Sequence, residues 1–139
     1  MIRSSIIAIN DGNRYLLYHD TGWDCDFFPN HATDENESEN LRLLADYLSN
    51  GFDIPLSDFT LERVTMESHE KYSTEHKETR FYDYTLYKAT IHRMPEAWKA
   101  DRFHVDSKDC MWMTVDQMLA DPHMREINAD VIGMVKTRL

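Results

Sequence analysis

The chain has 139 residues, with 25 acidic against 15 basic side chains for a net charge of -10, and 42% hydrophobic residues. That length suits one domain with an ordinary core. The charge repels phosphate backbones, so nonspecific nucleic-acid binding is not expected, and a phosphorylated ligand would need local basic groups or a metal.

No apolar run approaches the roughly 20 residues of a membrane helix. The opening MIRSSIIAIN lacks a long apolar region and a cleavage site, so it reads as a strand and not a signal peptide. A cytoplasmic protein is expected, away from membranes, with Cys25 and Cys110 as free thiols.

In chain order, residues 4–9 (SSIIAI) and 14–19 (RYLLYH) form a predicted β-hairpin about the turn Asn10-Asp11-Gly12-Asn13. Trp23 to Phe28 makes a third short extended segment, closed by Pro29. An acidic loop leads into a helix over 38–50, whose start is capped through Asp34 with Glu37 or through Asn36 with Glu39. Leu41, Leu44, Ala45 and Leu48 fall on one face, and Leu43 and Tyr47 on a second, so the helix is covered on two sides. Asn50-Gly51 supplies its stop.

Residues 59–68 predict a strand, 69–79 a solvated loop or hairpin tip, and the Thr/Tyr/Phe-rich 80–94 another strand. DCMWM (109–113) is a short buried strand. Thr114-x-x-Gln117 opens a short helix to about Ala120, closed by Asp121-Pro122. Asn128 caps the last helix, 128–138, with Ile127 and Ile132 as its staple. The order predicts one α+β domain over 1–139: an α/β/α sandwich with a mixed, largely antiparallel sheet between helices.

Several residues have a chemical and a plain reading. Glu35, Glu37 and Glu39 could gather a cation, or form an acidic first turn favoured by the helix dipole. Asp46 is a candidate metal ligand or a solvated helical aspartate, and His31 a phosphate contact or an ordinary loop residue. His69 and His76 with Glu70, Glu75 and Glu78 form the one local cluster, and have no HExxH spacing. Tyr82, Tyr84 and Tyr87 could line a pocket for a flat base, or make cross-strand pairs. Cys25 reads as a small buried hydrophobe.

The hairpin SSIIAINDGNRYLLYH, the approach WDCDFFPNH and the stretch MWMTVDQMLADPHMREINADVI together resemble the Nudix hydrolases over most of the chain. The Nudix box runs Gly, five residues, Glu, seven residues, Arg-Glu-hydrophobic-any-Glu-Glu, one residue, Gly, hydrophobic. With its first Glu on Glu37, His31 stands at the glycine, Ala45 at the arginine and Asp46 at the first helical glutamate. Ser49 and Asn50 replace the glutamate pair, and Phe52 the final glycine, with Gly51 one position early.

At about 100° per residue Asp46, Ser49 and Asn50 share a helix face, on which one residue carries charge. The resemblance therefore implies a Nudix-like domain with a degenerate box that has lost ordinary diphosphate hydrolysis. It would serve as a nucleotide-like ligand-binding or regulatory module, with His31, Glu37 and Asp46 as ligand contacts and with room for a protein partner or homo-oligomer. The alternative is a divergent Mg- or Mn-dependent hydrolase of a nucleoside diphosphate derivative. It would hold metal through Glu37 and Asp46, with help from Glu35 or Glu70.

Overall fold

A computed structural model describes residues 2–22, 24–73 and 77–139. Its elements are β1 (Ile2–Asp11), β2 (Arg14–Asp20), β3 (Cys25–Phe27), β4 (Asn30–Ala32), α1 (Glu37–Phe52), β5 (Phe59–Ser73), β6 (Glu78–Ile91), β7 (Arg102–Val105), β8 (Lys108–Thr114), α2 (Val115–Ala120) and α3 (Pro122–Arg138). The sheet runs β5-β6-β1-β2-β8-β7, with β3 added beside β2 and β4 beside β1. β1 lies parallel to β6, and the other described pairings are antiparallel. The α+β class and the mixed sheet are as expected.

Alternation along β1 builds the two core layers. Ile6 and Ala8 face one side and pack with Met118, Met124, Val131, Ile132 and Val135 of α2 and α3. Ile7 and Ile9 face the other and pack with Leu44, Leu48 and Phe52 of α1. The sheet therefore sits between α1 and the α2/α3 pair. Gly12 makes the β1–β2 turn at φ 62°, where an L side chain would be strained.

Asn36 is the N-cap of α1, its side chain accepting from the Glu39 N–H at 3.0 Å. Asn40, Leu44, Leu48 and Phe52 are buried at a strict four-residue spacing, and Leu41, Ala45, Leu43 and Tyr47 are half-buried flanks. The helix passes the expected stop at Asn50-Gly51 and ends at Phe52, with Asp53 left-handed at φ 56°. Tertiary donors explain the extra residues: Lys108 Nζ donates to the Gly51 carbonyl and Trp98 Nε1 to the Phe52 carbonyl, both at 3.0 Å.

Three further expectations are corrected. α3 spans Pro122–Arg138 with its first turn capped by the Asp121 side chain, and non-helical Asn128 (φ -126°, ψ 19°) divides it in two. The helix expected from Asn128 is its second segment, and the segment before it was not expected. Residues 69–73 and 78–79 are strand, since β5 and β6 keep pairing through His69 with Tyr82 and Tyr72 with Thr79. Their alternation is hidden because polar residues occupy the inward positions. Lys71 lies over the Tyr82 and Tyr84 rings at 5.2 and 5.1 Å, and 3.3 Å from Asp130 of α3. β4 and β7, of three and four residues, were missed as too short to show a period.

Trp23 of the box approach and Glu75 and His76 of the polar cluster lie outside the described residues. Among the described residues no helix is long and apolar enough to cross a membrane. Cys25 and Cys110 are free and buried.

Candidate functional site

Strand register brings a row of polar residues to the face of the sheet that carries α1. Arg3 of β1 pairs with Asp83 of β6, which pairs with Ser68 of β5; Ser5, Thr85 and Met66 form the next rung. Beside the start of α1, Arg3, Asp83, Thr85 and Met66 of these rungs border a cavity of about 200 Å³. Its sheet wall is Arg3, Arg63, Met66, Asp83 and Thr85, and its other wall is Thr33, Asp34, Glu35 and Glu37 from the loop and first helical turn.

Beneath that second wall lies a buried polar network. Asn40 and Ser5 are fully buried. The Asn40 amide donates to Ser5 Oγ at 3.1 Å and to Tyr87 Oη at 2.9 Å, and its oxygen accepts from the Asp34 N–H at 2.8 Å. Ser5 Oγ lies 2.9 Å from Thr33 Oγ1. Having accepted from Asn40, the Tyr87 hydroxyl donates to the Glu37 carboxylate, at 3.0 and 3.1 Å from its two oxygens. Burial, with Glu37 beside it, pushes the Tyr87 pKa up, so the hydroxyl keeps its proton as a donor. The network sets the carboxylate of Glu37 by its bonds to the sheet.

The arginines are held loosely. Arg3 Nε is 3.9 Å from Asp83 Oδ2, with half of the Arg3 side chain exposed. Asp83 is itself engaged by the Ser68 hydroxyl. Arg63 is exposed and has no carboxylate within ion-pair distance among the described residues.

The structure does not gather the three site residues read from the sequence. Glu37 borders the cavity. Asp46 is exposed nine residues further along α1, about 13 Å up the axis and half a turn around, so the two carboxylates face apart. His31 lies on β4 with its ring edge on Tyr47, centroids 5.3 Å apart, and Nδ1 3.0 Å from the Ala32 carbonyl. Tyr47 Oη accepts from the Asn30 N–H at 3.3 Å, tying this flank of α1 to β4.

The Asp46 face does not fit a divalent cation, offering one carboxylate beside a serine and an amide. Among the described residues no group of three or more His, Cys, Asp or Glu could hold a metal. Of the described members of the polar cluster, Glu78 pairs with Arg80 and His69 contacts Glu67. Tyr82 and Tyr84 stack in the α3-side layer, centroids 5.7 Å apart, whereas Tyr87 is on the opposite face. Burial pushes the Cys25 thiol up to about 11, which leaves it protonated and a poor nucleophile.

Sequence reading missed Asn40, Arg3, Arg63 and Asp83. Asn40 carried a signal, since it stands four residues before Leu44 on the buried stripe, where a polar residue must find partners. The other three depend on strand register, which no local pattern reveals.

The fold is Nudix-like. The chain is similar to the crystal structure of Caenorhabditis elegans Ap4A hydrolase, with a TM-score of 0.58 at 13% identity over 98% of this chain and 94% of that one. It is likewise similar to the NUDIX domain of Shewanella oneidensis NrtR complexed with ADP ribose, with a TM-score of 0.56 at 13% identity over 99% and 88%. For a NUDIX hydrolase from Nitrosomonas europaea the TM-score is 0.56, at 11% identity over 99% and 90%. At these identities the likeness shows the fold alone. No protein-family model and no curated protein matches the sequence.

Proposed function

We propose that this chain is one Nudix-like domain over residues 1–139 that has lost ordinary diphosphate hydrolysis and binds a small nucleotide-like ligand in the cavity at the start of α1. The observation that carries the reading is the separation of the cavity from any carboxylate cluster on α1. Cleaving a diphosphate requires a divalent metal to neutralise developing charge and activate water, and Mg²⁺ needs near-octahedral oxygen ligands. Glu37, at the cavity, and Asp46, half a turn and about 13 Å away, do not share an ion.

Burial and backbone favour a box register one residue later than the match on Glu37. Leu48 and Ile54, both buried, then stand at the two hydrophobic positions, and left-handed Asp53 at the terminal glycine. Tyr47, Asn50 and Gly51 then fall at the glutamate positions, so neither register supplies a metal cluster. The ADP ribose bound to the Shewanella NUDIX domain supports a nucleotide-like ligand for this fold. Here Arg3 and Arg63 would take the ligand's oxyanion, and the Asn40–Tyr87 network would hold Glu37 in place.

Calorimetric titration with AMP and ADP ribose, each with and without Mg²⁺ or Mn²⁺, tests the reading. Binding without turnover, and without dependence on metal, is the expected result. Metal-dependent turnover would overturn it in favour of a divergent hydrolase recruiting Glu35, Glu37 or Glu70. No binding at all would leave a structural or regulatory role through a protein partner.

A further inference from the structure

We infer that the cavity at the start of α1 selects a zwitterionic group: a compact moiety with an oxyanion at one end and a protonated amine at the other. The inference rests on the ligand-binding reading above and specifies the chemistry of its occupant. Its basis is a cavity whose two walls have opposite character. Arg3 and Arg63 stand on β1 and β5, on either side of β6, and Glu35 and Glu37 stand opposite on the loop and first helical turn.

Both cations are available to a ligand, because Arg3 reaches its only carboxylate at 3.9 Å and Arg63 reaches none among the described residues. Glu37 is fixed by Tyr87 against both its oxygens. Four carboxylates against two guanidinium groups leave the lining two charges negative, in a chain of net charge -10.

A bare phosphate would meet two arginines and more negative charge beyond them. Elsewhere a divalent metal offsets such charge, but the donors here do not fit one. An amine carried by the ligand itself supplies the missing positive charge and faces the acidic wall. Size agrees: about 200 Å³ is below the ~300–1,000 Å³ of drug-sized pockets, so this partly open cavity has room for one compact head, with the rest of a larger ligand outside it.

The test is calorimetry on the full chain in chelator, with phosphoethanolamine, ethyl phosphate and ethylamine as probes, and with β-alanine against propionate as the carboxylate arm. The aminated compound of at least one arm should bind about tenfold tighter than its amine-free partner, as expected for two charge-assisted contacts in place of one. Which arm shows the gain identifies the oxyanion.

Glu35→Gln should remove most of the amine's advantage, and Arg63→Gln should weaken every oxyanion. Both positions are exposed, and retained circular dichroism checks the fold. Equal affinity of phosphoethanolamine and ethyl phosphate, with β-alanine no better than propionate, would overturn the inference. So would a gain indifferent to both substitutions. If AMP or ADP ribose binds while the amine confers nothing, the zwitterion falls and the ligand-binding reading stands. If no compound binds, both fall together.

Discussion

Asn40 holds the start of α1 to the sheet. Its amide and carbonyl join Ser5, Tyr87 and the Asp34 N–H from a fully buried position. Without it Ser5 keeps Thr33 and Tyr87 keeps Glu37, while the Asp34 N–H loses its bond. At about 0.5–1.5 kcal/mol for each of the three hydrogen bonds lost, Asn40→Ala should lower unfolding stability in urea by about 2–4 kcal/mol. A loss below about 0.5 kcal/mol would show that the network adjusts without it.

His19 gives a pH-dependent prediction at the same scale. Nδ1 is 2.9 Å from Asp26 and Nε2 3.3 Å from Asp24. The Asp26 hydrogen bond, with lesser help from Asp24 and against some desolvation, raises its pKa above the ordinary 6.5. A raised folded-state pKa stabilises fully below the unfolded value, and that contribution is lost as pH rises through the folded one. The Tm advantage of the native chain over His19→Gln should therefore be largest near pH 6 and shrink above the ordinary value of about 6.5. An advantage that is flat or grows with pH would contradict the assignment.

The element that shapes the site is α1. Its N-terminal turn forms the acidic wall of the cavity, while Leu44, Leu48 and Phe52 anchor the rest of the helix to the sheet. Leu44 is fully buried, so Leu44→Ala should cost about 2–5 kcal/mol by loss of transfer energy and creation of a cavity. A cost below about 0.5 kcal/mol would mean that the helix does not depend on this face. The far end is governed by tertiary partners, because Lys108 and Trp98 cap carbonyls that local sequence would leave open.

At the scale of the molecule, α1 and α3 stabilise opposite faces of one sheet without touching the same core residues. Leu44 belongs to one cluster and Ile132 to the other. Distant sites with no shared partner add within about 0.5 kcal/mol, so Leu44→Ala and Ile132→Ala should be additive in the double variant. Coupling above about 1 kcal/mol would show that the sheet transmits strain between its layers.

Local pattern was enough to read the hairpin about Gly12, the amphipathic α1, the capping box at Thr114 and the α+β order. Each depends on neighbours within a few residues, through turn geometry, helical spacing or a cap. The same reading stopped α1 too early, left out the segment of α3 before Asn128 and placed 69–73 and 78–79 in a solvated loop or hairpin tip. Those outcomes were decided by Lys108 and Trp98, by Asp121, and by the β5–β6 pairing beneath α3.

Of the cavity, only its acidic loop was legible in the sequence. Arg3, Arg63 and Asp83 meet because a parallel and an antiparallel ladder place residues 20 or more apart in sequence on one sheet face. Glu37 and Asp46, close in sequence, were separated by the helical turn itself. Local sequence fixes periodicity and caps, whereas charge proximity is set by strand register, which only the folded chain specifies.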